Sequence, residues 1–168
     1  PVVADGRIYV AGETLVAFDE SGTELWRASD LPATTTVPAA TADTVYVGAG
    51  EDDETFFAVN AEDGGVEWRV QLGSTAVPTA SPATTRPAAT AEIVYVGSNR
   101  TMHGIDAESG EIQWRETAGG AVGPPVPIGQ QLLFTTAENE LRSITDGESD
   151  ESGESGENDS GEDDGSGE

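Results

Sequence analysis

The sequence predicts an all-β chain in which one unit is written about three and a half times, and three recurring landmarks predict it. The first is a tryptophan. Trp26, Trp68 and Trp114 stand 42 and 46 residues apart, each followed by Arg and each preceded by an Asp or Asn and a Gly turn ("DESGTELWR", "NAEDGGVEWR", "DAESGEIQWR"). The second is "PAATADTVYVG" from Pro38, which recurs as "PAATAEIVYVG" from Pro87, more loosely as "PVVADGRIYVA" from Pro1, and in decayed form as "PVPIGQQLLFT" from Pro125. The third is "TLVAFD" at Thr14, "TFFAVN" at Thr55, "TMHGID" at Thr101 and "ELRSIT" at Glu140. Three landmarks in one order mark a repeat architecture. Each is short, rich in β-branched and aromatic residues and bounded by turn residues, which is the pattern of strands. Nothing repeats at helical spacing over a useful length. Four strands in roughly 40–45 residues is the content of a propeller blade. The expected fold is therefore a β-propeller fragment of about three and a half four-stranded antiparallel blades over residues 1–145, then a disordered acidic tail over 146–168.

The first blade is expected over about 1–30, with strands after Pro1, at Tyr9, at the third landmark and into Trp26. Its last two strands need a tight hairpin, in which the Asp19 side chain bonds backbone amides just ahead and Gly22 supplies positive φ. The second blade, 37–72, carries Tyr46, then "TFFAVN", apolar on both faces as expected of a strand covered on both sides. Asn60 stands in the place of Asp, Gly64 or Gly65 can supply the positive φ, and Trp68 closes the unit. Within this blade "GEDDET" gathers Glu51, Asp52, Asp53 and Glu54 in an enlarged hairpin. Four carboxylates suit Ca²⁺ as oxygen ligands. The loop lacks the alternating Asp/Asn spacing and the Gly of an EF-type loop, so a solvated acidic turn is expected. The Pro/Thr/Ser-rich stretch from Ser74 is expected to be a long, mobile connection.

The third blade, 87–117, carries Tyr95, Asp106, Gly110 and Trp114. His103, the single histidine, occupies the position held by Val16, Phe57 and Arg142 in the other copies. With no ligand set nearby, it is expected to be a partly exposed strand residue. The partial fourth blade, 125–145, runs into the tail without a Gly-Trp strand. The tryptophan rings are expected to fill the wedge between adjacent twisted blades. Arg27, Arg69 and Arg115 can lie over aromatic surface or pair with carboxylates. The Trp-Arg pairs read as packing elements rather than ligand contacts.

Charge narrows the partners. The net charge is -25, and the tail from Asp146 holds eleven acids and no base, leaving twenty-one acids against seven Arg in residues 1–145 and no Lys anywhere. Such a surface repels phosphate backbones and anionic lipid, so nucleic acid is not an expected partner. The lysine-free, acidic composition suggests adaptation to high salt, where screening shortens self-repulsion to about 3 Å at ~1 M. With no Cys there is no disulfide and no thiolate chemistry. No run of eighteen apolar residues offers a membrane span. The tail has no aliphatic or aromatic residue to collapse around. Asn99-Arg-Thr101 and Asn158-Asp-Ser160 are glycosylation sequons, meaningful only after export. The chain opens on Pro1 in mid-pattern, as a piece of a longer product with blades upstream would.

Over residues 1–145 the chain resembles the PQQ-like (pyrroloquinoline-quinone-type) β-propeller repeats. Their signature is Leu/Ile, Asp, two variable residues, Ser/Thr-Gly, three variable residues and Trp. Asp106, Ser109, Gly110 and Trp114 fit it best. Asp19, Gly22 and Trp26 fit with one residue fewer, and Asn60 replaces Asp. The Gly-His and Trp-Asp pairs of WD-type repeats are not found. The resemblance implies a ring of about six to eight blades, and a choice among functions. Quinoprotein dehydrogenases resemble one another in a channel Ca²⁺ site, a catalytic Asp, a stacking Trp and often adjacent cysteines over the quinone. This chain has no Cys, and spacing places no Asp or Glu in a channel. A non-catalytic protein-binding or assembly scaffold is therefore expected, with no catalytic, cofactor or metal residue assigned. A sensor propeller of a kinase or surface-anchored protein is an alternative; a dehydrogenase piece, with PQQ and Ca²⁺, is another. The expected partner is a protein or the missing upstream blades. The resemblance favours an extracytoplasmic or cell-surface location.

Overall fold

A computed structural model describes residues 1–34, 36–49, 55–72, 88–90, 92–129 and 131–145. The tail from 146, the Glu51–Glu54 carboxylates and the connection over 73–87 lie outside the described residues, so the expectations for them stand as such. Among the described residues there is no helix. Blade 1 holds β1 (Val2–Ala4), β2 (Arg7–Val10), β3 (Val16–Asp19) and β4 (Glu24–Arg27). Blade 2 holds β5 (Ala39–Ala40), β6 (Thr44–Ala49), β7 (Thr55–Asn60) and β8 (Val66–Gln71). Blade 3 holds β9 (Ala88–Ala89), β10 (Ile93–Ser98), β11 (Thr101–Asp106) and β12 (Ile112–Thr117). Among the described residues blade 4 has three strands, β13 (Val126–Ile128), β14 (Gln131–Thr135) and β15 (Leu141–Thr145). Each sheet is an antiparallel meander in sequence order, and the four remain separate sheets. The all-β, partial-propeller expectation matches this architecture.

The register is the same from blade to blade. Tyr9, Tyr46 and Tyr95 pair with Val2, Ala39 and Ala88 on one side and with Ala17, Ala58 and Gly104 on the other. Those three small residues in turn pair with Trp26, Trp68 and Trp114, and a bulge follows each of them.

Strand alternation explains where the core sits. Side chains point to opposite faces in turn, so each middle strand serves two neighbours. Val45, Val47, Phe57 and Val59 of blade 2 join Tyr9, Leu15, Ala17 and Trp26 of blade 1 in one cluster. Tyr46, Phe56 and Ala58, on the other face of the same strands, join Val94, Val96 and Ile105 of blade 3. Tyr95 and Met102 of blade 3 meet Leu132 and Phe134 of blade 4. The core is thus three interfaces between consecutive sheets. No sheet of this size hides its own apolar faces, and stacking neighbours does so.

The linkers reinforce this stacking. Thr34 bridges to Ala49 and Val122 to Thr136, while the buried Thr36 hydroxyl accepts the Gly48 amide at 2.9 Å.

Candidate functional site

The turns between third and fourth strands gather at one rim, built by local chemistry. Oδ1 of Asp19 accepts the Ser21 amide at 2.9 Å, the Thr23 amide at 2.8 Å and the Ser21 hydroxyl at 2.6 Å. Oδ1 of Asp106 accepts the amides of Glu108 and Ser109 at 3.1 and 2.8 Å and the Ser109 hydroxyl at 2.8 Å. Asn60 accepts the Glu62 amide at 2.8 Å in the same role and uses its Nδ2 to donate to Glu67 at 3.0 Å. The Ser21 hydroxyl, with the Thr23 amide behind it, lowers the Asp19 pKa below the ordinary carboxylate value. The Ser109 amide, then its hydroxyl, does the same for Asp106. Both stay anionic because the turn hydrogen-bonds the charged form. Around them Glu20, Glu62, Asp63 and Glu108 are exposed, so the rim presents outward carboxylates.

What pins the turns of blades 2 and 3 is the tryptophan of the preceding blade. Trp26 Nε1 donates to the Ala61 carbonyl at 2.9 Å, and Trp68 Nε1 donates to Ala107 at 3.0 Å, each reaching one blade forward. Each ring also leans on the tyrosine of its own blade. The Tyr9–Trp26, Tyr46–Trp68 and Tyr95–Trp114 centroids are 5.9, 5.9 and 6.0 Å apart at interplanar angles of 40, 38 and 39°. Trp26 is buried, whereas Trp68 and Trp114 are half-buried.

Gly22, Gly64 and Gly110 hold φ of 85, 79 and 75°. In blade 2, Gly64 rather than Gly65 takes the left-handed position. Gly64 also lies under the Trp26 ring, where an added Cβ would come within 2.6 Å of it, and Gly110 lies under Trp68 at 2.7 Å; at Gly22 the space is open. The two costs therefore separate. Gly22→Ala is expected to lose about 1 kcal/mol from backbone strain alone. Gly64→Ala should lose roughly 1–3 kcal/mol more through overpacking of the ring. Equal midpoints in denaturant titrations of the two variants would show that the ring does not rest on that turn.

His103 differs from its expectation. It is 1% exposed rather than partly exposed, and neither ring nitrogen has a hydrogen-bond partner. The reason is its position: it lies on the face of β11 that carries Ile105 toward blade 2, as Phe57 does on β7 toward blade 1. Desolvation, helped by the Arg115 charge on the paired strand, lowers its pKa to about 4. The fourth copy solves the same position differently, with Arg142 pairing to Glu116 of blade 3 at 3.5 Å. Of the Trp-following arginines, Arg27 pairs with Glu24 of its own strand at 2.7 Å. Among the described residues no group of three or more His, Asp or Glu is placed to hold a metal ion. The missed signal was legible: Val16, Phe57, His103 and Arg142 hold one position of the repeat, apolar in two copies, so a histidine there is an inter-blade residue.

Comparison with known proteins follows this geometry. The family profile described as outer membrane protein assembly factor BamB matches residues 1–97 and 79–152. No curated protein sequence matches the chain. Among solved structures, BamB from Moraxella catarrhalis superposes with a TM-score of 0.68 at 16% identity, over 86% of this chain and 43% of that one. The computationally designed Ika4 protein gives 0.64 at 14% identity, over 84% of this chain and 88% of that one. The quinohemoprotein alcohol dehydrogenase from Comamonas testosteroni gives 0.53 at 23% identity, over 70% of this chain and 21% of that one. The chain thus spans under half the length of the BamB fold it matches.

Proposed function

The chain belongs to the PQQ-like repeat family described as outer membrane protein assembly factor BamB, and from that premise we propose that it serves as a protein-binding or assembly scaffold. One observation supports this most: a rim of turns that carries outward carboxylates, with the turns of blades 2 and 3 held by inter-blade tryptophans. Loops on a fixed scaffold are where binding surfaces are built, and pinned tips lose little conformational entropy when a partner docks. The chemistry of the rim suits a protein surface bearing Arg or Lys. An extracytoplasmic location belongs to the same proposal.

The test is affinity capture with the wild-type chain and with a rim variant in which Glu20, Glu62 and Glu108 are changed to Gln. A specific protein lost only from the variant is the expected result. Identical captures would refute the rim as the binding surface. The likeness to the dehydrogenase fold supports a second reading, quinone chemistry. Titration with PQQ and Ca²⁺, followed by absorbance and dye reduction, decides it: turnover would displace the scaffold reading.

The composition supports a high-salt setting as part of this proposal. A net of -14 over residues 1–145 is repulsive when unscreened. Far-ultraviolet circular dichroism should therefore show strand structure in molar salt and its loss in millimolar salt. Identical spectra would defeat the salt reading without touching the scaffold.

A further inference from the structure

Each joint between consecutive blades holds a different side chain at the repeat position of His103. Between blades 1 and 2 it is Phe57, buried with Tyr9, Leu15 and Trp26. Between blades 3 and 4 it is Arg142, half-exposed and paired to Glu116 at 3.5 Å. Among the described residues, only the joint between blades 2 and 3 closes on a base: His103 is 1% exposed, with no hydrogen-bond partner on either nitrogen. Its surroundings offer an imidazolium nothing. In its own sheet it pairs with Val96 on β10 and Arg115 on β12. Across the joint, blade 2 presents Tyr46, Phe56, Ala58, Trp68, Val70 and Leu72. Of these only the Tyr46 phenol titrates, and burial raises its pKa above the ordinary value. The carboxylates of Asp43, Glu67 and Asp106 act on Tyr46 rather than on His103, and the described charge that acts on His103 is Arg115, of like sign. A proton on the ring thus places an unbonded cation in an apolar seam beside a guanidinium, a state relieved by hydrating the ring.

The same joint carries a pin of the rim. Trp68 of blade 2 crosses it to donate to the Ala107 carbonyl at 3.0 Å and covers Gly110 in the blade 3 turn. The corresponding pin of blade 2, Trp26 to Ala61, crosses the joint that holds Phe57. Repeats contact only their neighbours, so one joint can open without the next. We infer that acid works the joint between blades 2 and 3 as a switch: a proton on His103 opens it and releases the blade 3 turn, while the blade 2 turn stays pinned. Control of partner docking by this switch rests on the scaffold reading; the opening itself does not. The sign follows from linkage. The buried ring takes a proton only below about pH 4, and the hydrated ring of the open joint takes one below about 6.5. The closed joint is therefore fully favoured above about pH 6.5 and loses ground as pH falls toward 4. Between pH 7 and pH 5 the open fraction should rise about 20-fold.

The chain has no cysteine, so a single introduced thiol reports on one joint. Val45 and Val94 are repeat equivalents, each 0% exposed, the first in the joint between blades 1 and 2 and the second in that between blades 2 and 3. The experiment is thiol labelling of Val45→Cys and Val94→Cys in molar salt at pH 7 and pH 5. Each rate is divided by that of the urea-unfolded variant at the same pH. The Val94→Cys ratio should rise about 20-fold at pH 5, and the Val45→Cys ratio should not. Adding His103→Phe should abolish the rise. In the unaltered 168-residue chain, hydrogen exchange of the indole N–H groups, followed by NMR, reads the pins directly. Trp68 should lose protection at pH 5 and Trp26 should keep it. An unchanged Val94→Cys ratio, an equal rise at both sites, or a rise that survives His103→Phe would each overturn the inference. So would a Trp68 indole as protected at pH 5 as at pH 7, a reading that needs no cysteine variant to fold. All of these measurements are made without a partner, so failure of the scaffold reading leaves them intact.

Discussion

Replacing Trp26 by Ala should destabilise the protein by about 3–5 kcal/mol, the range for truncating a buried aromatic in a packed core. Trp26 is 9% exposed and sits in the interface between blades 1 and 2. Its removal takes away the tilted contact with Tyr9 at 5.9 Å and the floor contact with the Gly64 turn. It also withdraws the indole donor from the Ala61 carbonyl, a residue only 1% exposed, and an unsatisfied buried acceptor adds about 1–3 kcal/mol. The three tryptophans are therefore unequal although they hold the same position of the repeat. Trp114 is half-buried and leans on the bare backbone of Gly104 in its own sheet, so Trp114→Ala should cost less than Trp26→Ala. Urea titrations of the three alanine variants in molar salt provide the ranking. A Trp26 loss no larger than that of Trp114 would show that inter-blade burial does not control stability here.

Substituting His103 by Phe should stabilise the fold and flatten its acid response. The wild-type ring is buried, unbonded and neutral, with its pKa lowered from 6.5 to about 4. A depressed folded value means that the unfolded chain binds the proton more readily. The stability is therefore fully present above about pH 6.5 and is lost as pH falls through about 4. The shift corresponds to something on the order of 3 kcal/mol at the acid end. Many carboxylates titrate in the same window, so the informative quantity is the difference between wild type and variant at each pH. That difference should grow steadily from pH 7 down to pH 4. At neutral pH the variant should already be more stable, because a hydrocarbon ring leaves no nitrogen unsatisfied. Phe57 shows that the repeat accommodates such a ring at this position. A constant difference across that pH range would mean that His103 is solvated or bonded in solution.

Most of the fold was legible because its signals are short-range. The Asp-x-x-Gly turns, the strand runs around Tyr46 and Tyr95 and the spacing of the tryptophans encode hairpins within a few residues of themselves. Repetition of those signals marked the successive sheets and showed that the fourth copy has no Gly-Trp segment. Less of the candidate site was legible. The exposed position expected for His103 failed because its exposure is decided by a neighbour: the face of β11 that it occupies is closed by the preceding blade. The sequence likewise left Gly64 and Gly65 as alternatives, since either can bend a turn, and only the tertiary structure places the Trp26 ring over Gly64.

The amino-acid sequence by itself thus determined the strand-and-turn grammar, the repeat and the charge of the surface, all properties of contiguous residues. The tertiary structure alone decided which neighbour covers each face of a sheet and which tryptophan is deepest. The physical reason is that burial belongs to a pair of sheets, and no single repeat contains both members of the pair.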